Sequence, residues 1–226
     1  MKTALAFLLL IAAVIAVSTL FRGGENPAVQ PLTGLPWQID ILPDGEARVF
    51  GLVPGHSTLD EARERFGMDM QIAVVAAPGE PGSLEAYSSN VTAGVITGKI
   101  ILLADADGET VARLRQRAVK IEHMDSTTKK FILHRDDLAL AWRAPIAGIT
   151  FIPSVNLDEQ TAIARFGVPN ERIRINDRVE HFLYPQKGLD LALDSRGKEV
   201  LQYVAPRQFA RLREPLIKLV PVTNEP

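Results

Sequence analysis

An internal repeat constrains this chain more than any other feature of its sequence. Residues 49–67 and 149–167 align without a gap at an offset of 100 positions, and both stretches end in Arg-Phe-Gly. Thr58 and Asp158 stand at the same place, where a side-chain oxygen can accept a hydrogen bond from the first free N–H groups of a helix. Gly67 and Gly167 follow the last turn, where glycine ends a helix at low conformational cost. The repeat predicts two copies of one unit: a short strand, a Pro-containing turn and a capped helix.

After each helix the sequence predicts strands separated by tight turns. In the first copy the strands are expected at 72–76, 84–88, 99–104 and 109–111, and in the second at 172–175, 179–184, 189–193 and 199–204. The turns are expected at Asp44-Gly45, Asp107-Gly108 and Ser195-Arg196-Gly197, because glycine accepts the positive φ of hairpin turns. The first copy runs 41 residues from 67 to 108 and the second 30 residues from 167 to 197. The difference predicts longer loops in the first copy, around 78–82 and 90–98.

The segment between the copies is predicted to be helical. Apolar residues recur at helical spacing from Thr110 to Met124, and Asp136 could cap a second short helix that runs through Trp142. The fold class we expect is therefore α+β. It comprises two similar half-domains, each a short helix or two packed on an antiparallel sheet, preceded by an N-terminal apolar helix.

That apolar helix is predicted from residues 3–21, nineteen positions without a charge. As a helix this segment would span about 28 Å, close to the hydrocarbon thickness of a bilayer. It is interpreted as an uncleaved anchor. A cleaved signal peptide, with Ala16 and Ser18 before the cut, and a buried core helix are the alternatives. An anchor predicts a single-pass inner-membrane protein with its C-terminal domain in the periplasm, and cleavage predicts a periplasmic or secreted one.

The expected organisation follows from these segments. Residues 1–22 are the anchor or signal peptide, 23–36 a linker rich in Gly and Pro, and 37–112 the first helix-on-sheet unit. Residues 113–148 are the helical connector, 149–206 the second unit, and 207–226 a C-terminal tail.

Composition excludes several classes of function. Cysteine is absent, so disulfides, thiolate metal sites and cysteine nucleophiles are excluded. The chain has 25 basic and 27 acidic residues, and such a balance argues against nucleic acid as the main partner, because neutralising phosphates requires clustered cations. The sequence contains no Gly-rich phosphate loop, G-x-S-x-G elbow or H-E-x-x-H motif. No cofactor and no metal are predicted.

The remaining chemical motifs are weak. Ser126-Thr127-Thr128-Lys129 matches S-x-x-K, in which a lysine one helical turn away can activate a serine. This pair makes a cell-envelope hydrolase an alternative, although the Lys-Thr-Gly or Lys-Ser-Gly motif that accompanies it in penicillin-recognising enzymes does not follow. The four histidines are never three or four residues apart, so a metal site would have to be assembled across the fold. Asp105, Asp107 and Glu109 resemble the start of a calcium loop, but the glycine stands at the wrong position.

The second copy carries a resemblance to a known family. Its residues are Asp158-Glu159-Gln160, Ala162, Phe166-Gly167-Val168-Pro169 and the aromatic strand Glu180-His181-Phe182-Leu183-Tyr184, with Thr58, Glu61-Ala62 and Phe66-Gly67 in the first copy. These resemble the capped helix and aromatic strand of the SmpA/OmlA (BamE-like) envelope proteins. The resemblance implies a small helix-on-sheet fold, related in shape to β-lactamase inhibitor proteins, that binds other envelope proteins without catalysis. Unlike typical members, this chain has no lipid-anchoring cysteine and has two units instead of one.

The function we expect is that of a membrane-tethered, extracytoplasmic protein-binding module without catalytic activity. Its partners would be envelope or inner-membrane proteins, and it would contact the membrane through residues 3–21. Four aromatic residues are the candidates for recognition: Tyr87, Phe182, Tyr184 and Tyr203. The alternative for each of them is a place in the core between sheet and helices. A third possibility is a structural accessory subunit of a membrane complex.

Overall fold

The computed structural model describes residues 33–124 and 127–219. The predicted N-terminal helix, at residues 3–21, lies outside the described residues. In the part that is described, no helix is long and apolar enough to cross a bilayer.

Five α-helices and twelve strands make up the described chain. The helices are α1 (Leu59–Phe66), α2 (Gly108–Gln116), α3 (Arg135–Trp142), α4 (Glu159–Phe166) and α5 (Ala210–Leu219). The first seven strands are β1 (Ile39–Ile41), β2 (Ala47–Val49), β3 (Gln71–Ala76), β4 (Ser83–Ala93), β5 (Ile96–Ala104), β6 (Lys120–His123) and β7 (Lys129–Ile132). The others are β8 (Ile146–Pro153), β9 (Glu171–Arg174), β10 (Val179–Tyr184), β11 (Leu189–Asp194) and β12 (Val200–Val204). The protein is therefore α+β, as predicted.

Ten of the strands form one antiparallel sheet. Its order is β6-β7-β3-β4-β5-β8-β12-β11-β10-β9, and β1 and β2 form a separate hairpin. From β3 to β8 the sheet follows chain order, and from β12 to β9 it follows chain order in reverse. The two runs meet where β8 pairs with β12, with Thr150 opposite Gln202 at the centre of the pairing. Consequently the two repeats share one sheet.

The main core lies on one face of this sheet, which we call the inner face. Helices α1 to α4 pack there and contribute buried apolar residues to a single cluster that spans both halves. Phe50 lies at its centre, with ring centroids 5.4 Å from Phe151 and 5.4 Å from Tyr203. The opposite, outer face is covered only in part, by α5.

The two capped helices are confirmed at the predicted positions. The Thr58 hydroxyl accepts a hydrogen bond from the Glu61 N–H at 3.2 Å, and the Asp158 carboxylate accepts one from the Thr161 N–H at 2.7 Å. The glycines that follow α1 and α4 both have positive φ, 131° and 87°. Both glycines adopt an extended ψ instead of the left-handed helical one, so the chain leaves each helix directly toward the next strand.

The hairpin predicted at Asp107-Gly108 is wrong. The Asp107 carboxylate accepts a hydrogen bond from the Thr110 N–H at 2.7 Å and caps α2, so the strand expected at 109–111 is helical. The same residue types suit both structures, since an aspartate that can close a turn can also satisfy a helix N-terminus. The helix expected over 110–124 ends at Gln116, and β6 occupies its second half.

Two further expectations differ from the structure. The surplus residues at 90–98 form no loop: they extend β4 and β5 to a tight turn at Gly94, where φ is 65°. The residue that caps α3 is His134, whose ring nitrogen accepts from the Asp136 N–H at 3.3 Å, instead of Asp136 itself. Within the predicted connector the chain also forms β6 and β7, and within the predicted tail it forms α5.

Candidate functional site

The outer face of the sheet is covered on one half by α5. Buried apolar residues of β9, β10 and β12 form a small core with this helix and the residue before it: Ile173, Leu183, Val204, Phe209 and Leu216. Arg213 of α5 donates two hydrogen bonds to the Glu171 carboxylate of β9, at 2.7 and 3.0 Å. These bonds hold the pKa of Glu171 below its usual value. The helix is thus fixed by an apolar stripe and one charged contact at its side.

The other half of the outer face holds an open groove of about 340 Å³. The groove is lined by residues of β3, β4, β5 and β7 and by one residue of the β6–β7 connection: Gln71, Ala73, Val75, Glu85, Tyr87, Lys99, Ile101, Met124 and Lys130. These strand residues alternate with the buried residues of the inner face, because successive side chains of a strand point to opposite faces. We call this set the sheet groove.

The floor of the sheet groove is apolar. Ala73 and Val75 of β3 lie beside Ile101 of β5, and Tyr87 of β4 stands opposite Ile101 in the strand register. Met124 is 48% exposed at the rim. Apolar side chains facing solvent in a concave surface lose contact with water when an apolar partner covers them, which favours binding.

The charges of the groove are two lysines and one glutamate. Lys99 is exposed, and Lys130 donates to the Gln71 side-chain oxygen at 2.6 Å. Burial raises the pKa of Glu85, although a hydrogen bond from the Ser83 hydroxyl at 2.6 Å opposes that shift. Burial therefore disfavours the ionised form of Glu85, while the lysines stand at the surface. The lining of the groove therefore carries more positive than negative charge, and Glu122 of β6 lies next to it, opposite Lys130 in the register.

Three of the four aromatic residues predicted to bind a partner lie in the core. Phe182 is 0%, Tyr184 2% and Tyr203 1% exposed. Each faces the inner side of the sheet, where the helices exclude solvent. The sequence could not show this, because an aromatic strand suits a covered face and an open one equally well. These three are therefore corrected to core residues, and only Tyr87, half-buried in the sheet groove, reaches the surface.

The two buried tyrosines have structural hydrogen bonds. The Tyr184 hydroxyl donates to the Gly167 carbonyl at 2.9 Å, and the Tyr203 hydroxyl donates to the Pro36 carbonyl at 2.9 Å. Burial raises the pKa of Tyr184 to about 12 and that of Tyr203 well above its usual value. Both side chains thus stay neutral at any physiological pH and tie connecting segments to the sheet.

The residues that sequence reasoning missed are Lys99, Ile101 and Lys130. Each occupies an outward position of a strand, and the alternation of buried and exposed positions could have assigned them to one face. Nothing local in the sequence distinguishes an outer face covered by a helix from one left open. The groove could be found only from the three-dimensional structure.

The histidines and serine of the weaker motifs are not assembled into a site in the described residues. Ser126 lies outside them, so the Ser126 and Lys129 pair remains a prediction. His181 contacts the Asp190 carboxylate through Nδ1 at 2.9 and 3.0 Å. Burial raises the pKa of Asp190, and the contact with His181 opposes this. Over the described ranges no three His, Asp or Glu side chains could hold a metal ion.

A larger cavity of about 570 Å³ lies at the turns of the second half. Its charged side chains are mostly engaged with one another or with the backbone. Arg174 pairs with Glu180 at 3.2 Å, and Asp158 caps α4. The exception is Glu199, one of whose carboxylate oxygens is buried without a hydrogen-bond partner. The sheet groove is the better candidate for protein binding because its floor is apolar, whereas this cavity is lined mainly by charged and polar side chains.

Comparison of the chain with protein-family models, with curated proteins and with solved structures finds no match. The candidate site therefore rests on its own geometry.

Proposed function

We propose that this chain is a protein-binding module without catalytic activity, held at the periplasmic face of the inner membrane by residues 3–21. The observation that supports binding is the sheet groove. Its apolar floor and lysine-bearing rim lie on the one half of the outer face that α5 leaves open. A rigid antiparallel sheet holds these side chains in place, which lowers the entropy that a partner must lose on binding.

The proposal treats the sheet as two similar half-domains. Helices α1 and α4 support this, since they occupy the same positions of the two repeats and are capped in the same way, by a side-chain oxygen at the start and a glycine at the end. The order of the strands on each side of the β8–β12 pairing supports it too. A relationship to the SmpA/OmlA family remains a prediction from the sequence motifs.

Site-specific photo-crosslinking in living cells tests the binding function. A crosslinking amino acid at Tyr87, in the sheet groove, is expected to give protein adducts with the full-length chain. The matched control is Leu140, which is 54% exposed on α3 at the other face of the sheet. Adducts that form equally from both positions, or from neither, would contradict the proposal.

Replacing residues 1–22 with a cleavable signal sequence tests the tether. If this segment only localises the protein, the released domain should still give the Tyr87 adduct with a purified partner. Loss of that adduct, with the domain folded, would make the segment part of the interface.

A further inference from the structure

The positions that hold α5 on one half of the sheet have counterparts in the sheet groove. Residues 71, 73 and 75 face outward from β3, and residues 171, 173 and 175 face outward at β9, at the offset of the repeat. Glu171 binds Arg213 of α5, and Ile173 and Ile175 pack in the small core with that helix. Their counterparts Gln71, Ala73 and Val75 all line the sheet groove.

The neighbouring strands repeat this correspondence. Tyr87 of β4 stands opposite Gln71, as Leu183 of β10 stands opposite Glu171. Ile101 of β5 stands opposite Tyr87, as Asp190 of β11 stands opposite Leu183. Leu183 belongs to the core beneath α5. The register of three strands thus places the sheet groove where the second half carries its helix.

The described chain supplies no helix to this place. In the second half, α5 follows β12, the last strand of its run. In the first half, α2 follows β5 and contributes Val111 and Leu114 to the inner core instead. Within the described residues, the first half therefore keeps a helix-binding surface on its outer face with no helix on it.

The charges of the groove distinguish between possible helices. On the covered half, an ion pair joins the sheet to the helix: Glu171 lies on the sheet and Arg213 lies on α5. In the groove the counterpart of Glu171 is Gln71, which accepts a hydrogen bond from Lys130. Lys99 also lines the groove. A second copy of α5, with three basic residues and one acidic residue in Ala210–Leu219, would bring like charges together.

We propose that the sheet groove binds an amphipathic helix of a partner protein, with an apolar stripe against Ala73, Val75 and Ile101 and acidic residues against Lys99 and Lys130. This inference rests on the proposed binding function and names its ligand. The helix would lie on the first half of the outer face as α5 lies on the second.

Two synthetic helices test the inference. Both are stapled peptides of about 14 residues with the same leucine and phenylalanine stripe, a length that needs the staple to stay helical alone. One carries glutamates on its flanks and the other carries lysines. Their binding to the full-length chain in nanodiscs of zwitterionic lipid is measured by fluorescence anisotropy, with empty nanodiscs as the blank.

The glutamate-flanked peptide is expected to bind more tightly than the lysine-flanked one. The double variant Lys99→Glu/Lys130→Glu should weaken it about tenfold and reverse the preference, because each attraction becomes a repulsion. The control Arg135→Glu lies on α3, where the Arg135 side chain is 90% exposed on the other side of the sheet, and should change nothing. Circular dichroism verifies that all variants are folded.

Binding of neither peptide would overturn the inference, as would binding that is insensitive to the lysine reversals. Self-association of the chain that the double variant abolishes would also overturn it, since a second copy would then occupy the groove. If Tyr87 still crosslinks a protein in cells while neither peptide binds, the binding function stands and only the helical ligand is rejected. If Tyr87 gives no adduct but the glutamate peptide binds as described, the groove recognises helices and the cellular role fails.

Discussion

Replacing Gly98 with alanine should destabilise the pairing of β5 with β8 near the centre of the sheet. Gly98 lies in β5 opposite Pro153 of β8. A Cβ atom at this position would lie 2.6 Å from the Ile152 carbonyl oxygen and 2.6 Å from two ring carbons of Phe151. Neither neighbour can move away easily, since the oxygen belongs to a central strand and Phe151 is 0% exposed.

The magnitude follows from the packing. Adding a methyl group to a filled core costs about 1–3 kcal/mol. Alanine also restricts the unfolded chain more than glycine does, and this offsets about 0.4–1 kcal/mol of that cost. We therefore expect a net loss of about 1–2 kcal/mol in the free energy of unfolding. For a domain of this size, this lowers Tm by about 2–8 °C.

Urea and thermal unfolding followed by circular dichroism measure the effect. The matched control is Gly108→Ala, because a Cβ at Gly108 meets no atom within 4 Å and the residue begins α2. Its stability should stay equal or rise by up to about 1 kcal/mol, as alanine favours a helix over glycine. In the double variant Gly98→Ala/Phe151→Leu, the combined loss should be smaller than the sum of the single losses, since leucine frees the space. Equal stability of Gly98→Ala and the wild type, or strict additivity in the double variant, would refute the reasoning.

Three other predictions concern buried or paired polar groups. Tyr203→Phe should cost about 1–3 kcal/mol in urea unfolding, because it leaves the buried Pro36 carbonyl without its donor. Arg213 lowers the folded-state pKa of Glu171, so this contact stabilises the fold above the unfolded pKa of about 4.3 and loses its effect as pH falls through the folded pKa. Urea midpoints of Arg213→Leu should therefore lie below those of the wild type near pH 7 and converge with them in acid, and a gap that persists in acid would argue against the charge contact. Burial raises the folded-state pKa of Glu85, so the wild type loses stability as pH rises from the unfolded pKa of this group through its folded-state pKa. Glu85→Gln, whose side chain does not titrate, should then gain stability relative to the wild type with rising pH, whereas a constant difference between the two at all pH values would contradict the shift.

Local signals predicted the elements that depend on a few neighbouring residues. The strand at Val179–Tyr184 was placed at its observed limits, and both helices of the repeat begin after their predicted caps. Such elements depend on alternation and on hydrogen bonds within one turn, which the sequence displays directly. Asp107-Gly108 shows where this fails, since its local chemistry fits a hairpin turn and a helix start alike.

The candidate site depended on relations that no short segment contains. Tyr87 and Phe182 both lie in aromatic strands, yet one faces the open groove and the other faces the helices. The difference arises from the face on which each side chain lies, because α1 to α4 cover the inner face and α5 covers only part of the outer face. These are contacts between distant parts of the chain. A sequence can indicate that a strand has two faces, but the covering of each face is decided by packing.

The pairing of β8 with both β5 and β12 has a consequence for biosynthesis. A ribosome delivers β8 some fifty residues before β12 (Ile146–Pro153 against Val200–Val204). During that interval one edge of β8, a strand buried at nearly every position in the finished protein, has no hydrogen-bonding neighbour. Unpaired edges of apolar strands are sites of aggregation. The nascent chain must therefore be prevented from associating with other copies of itself until β12 has been synthesised.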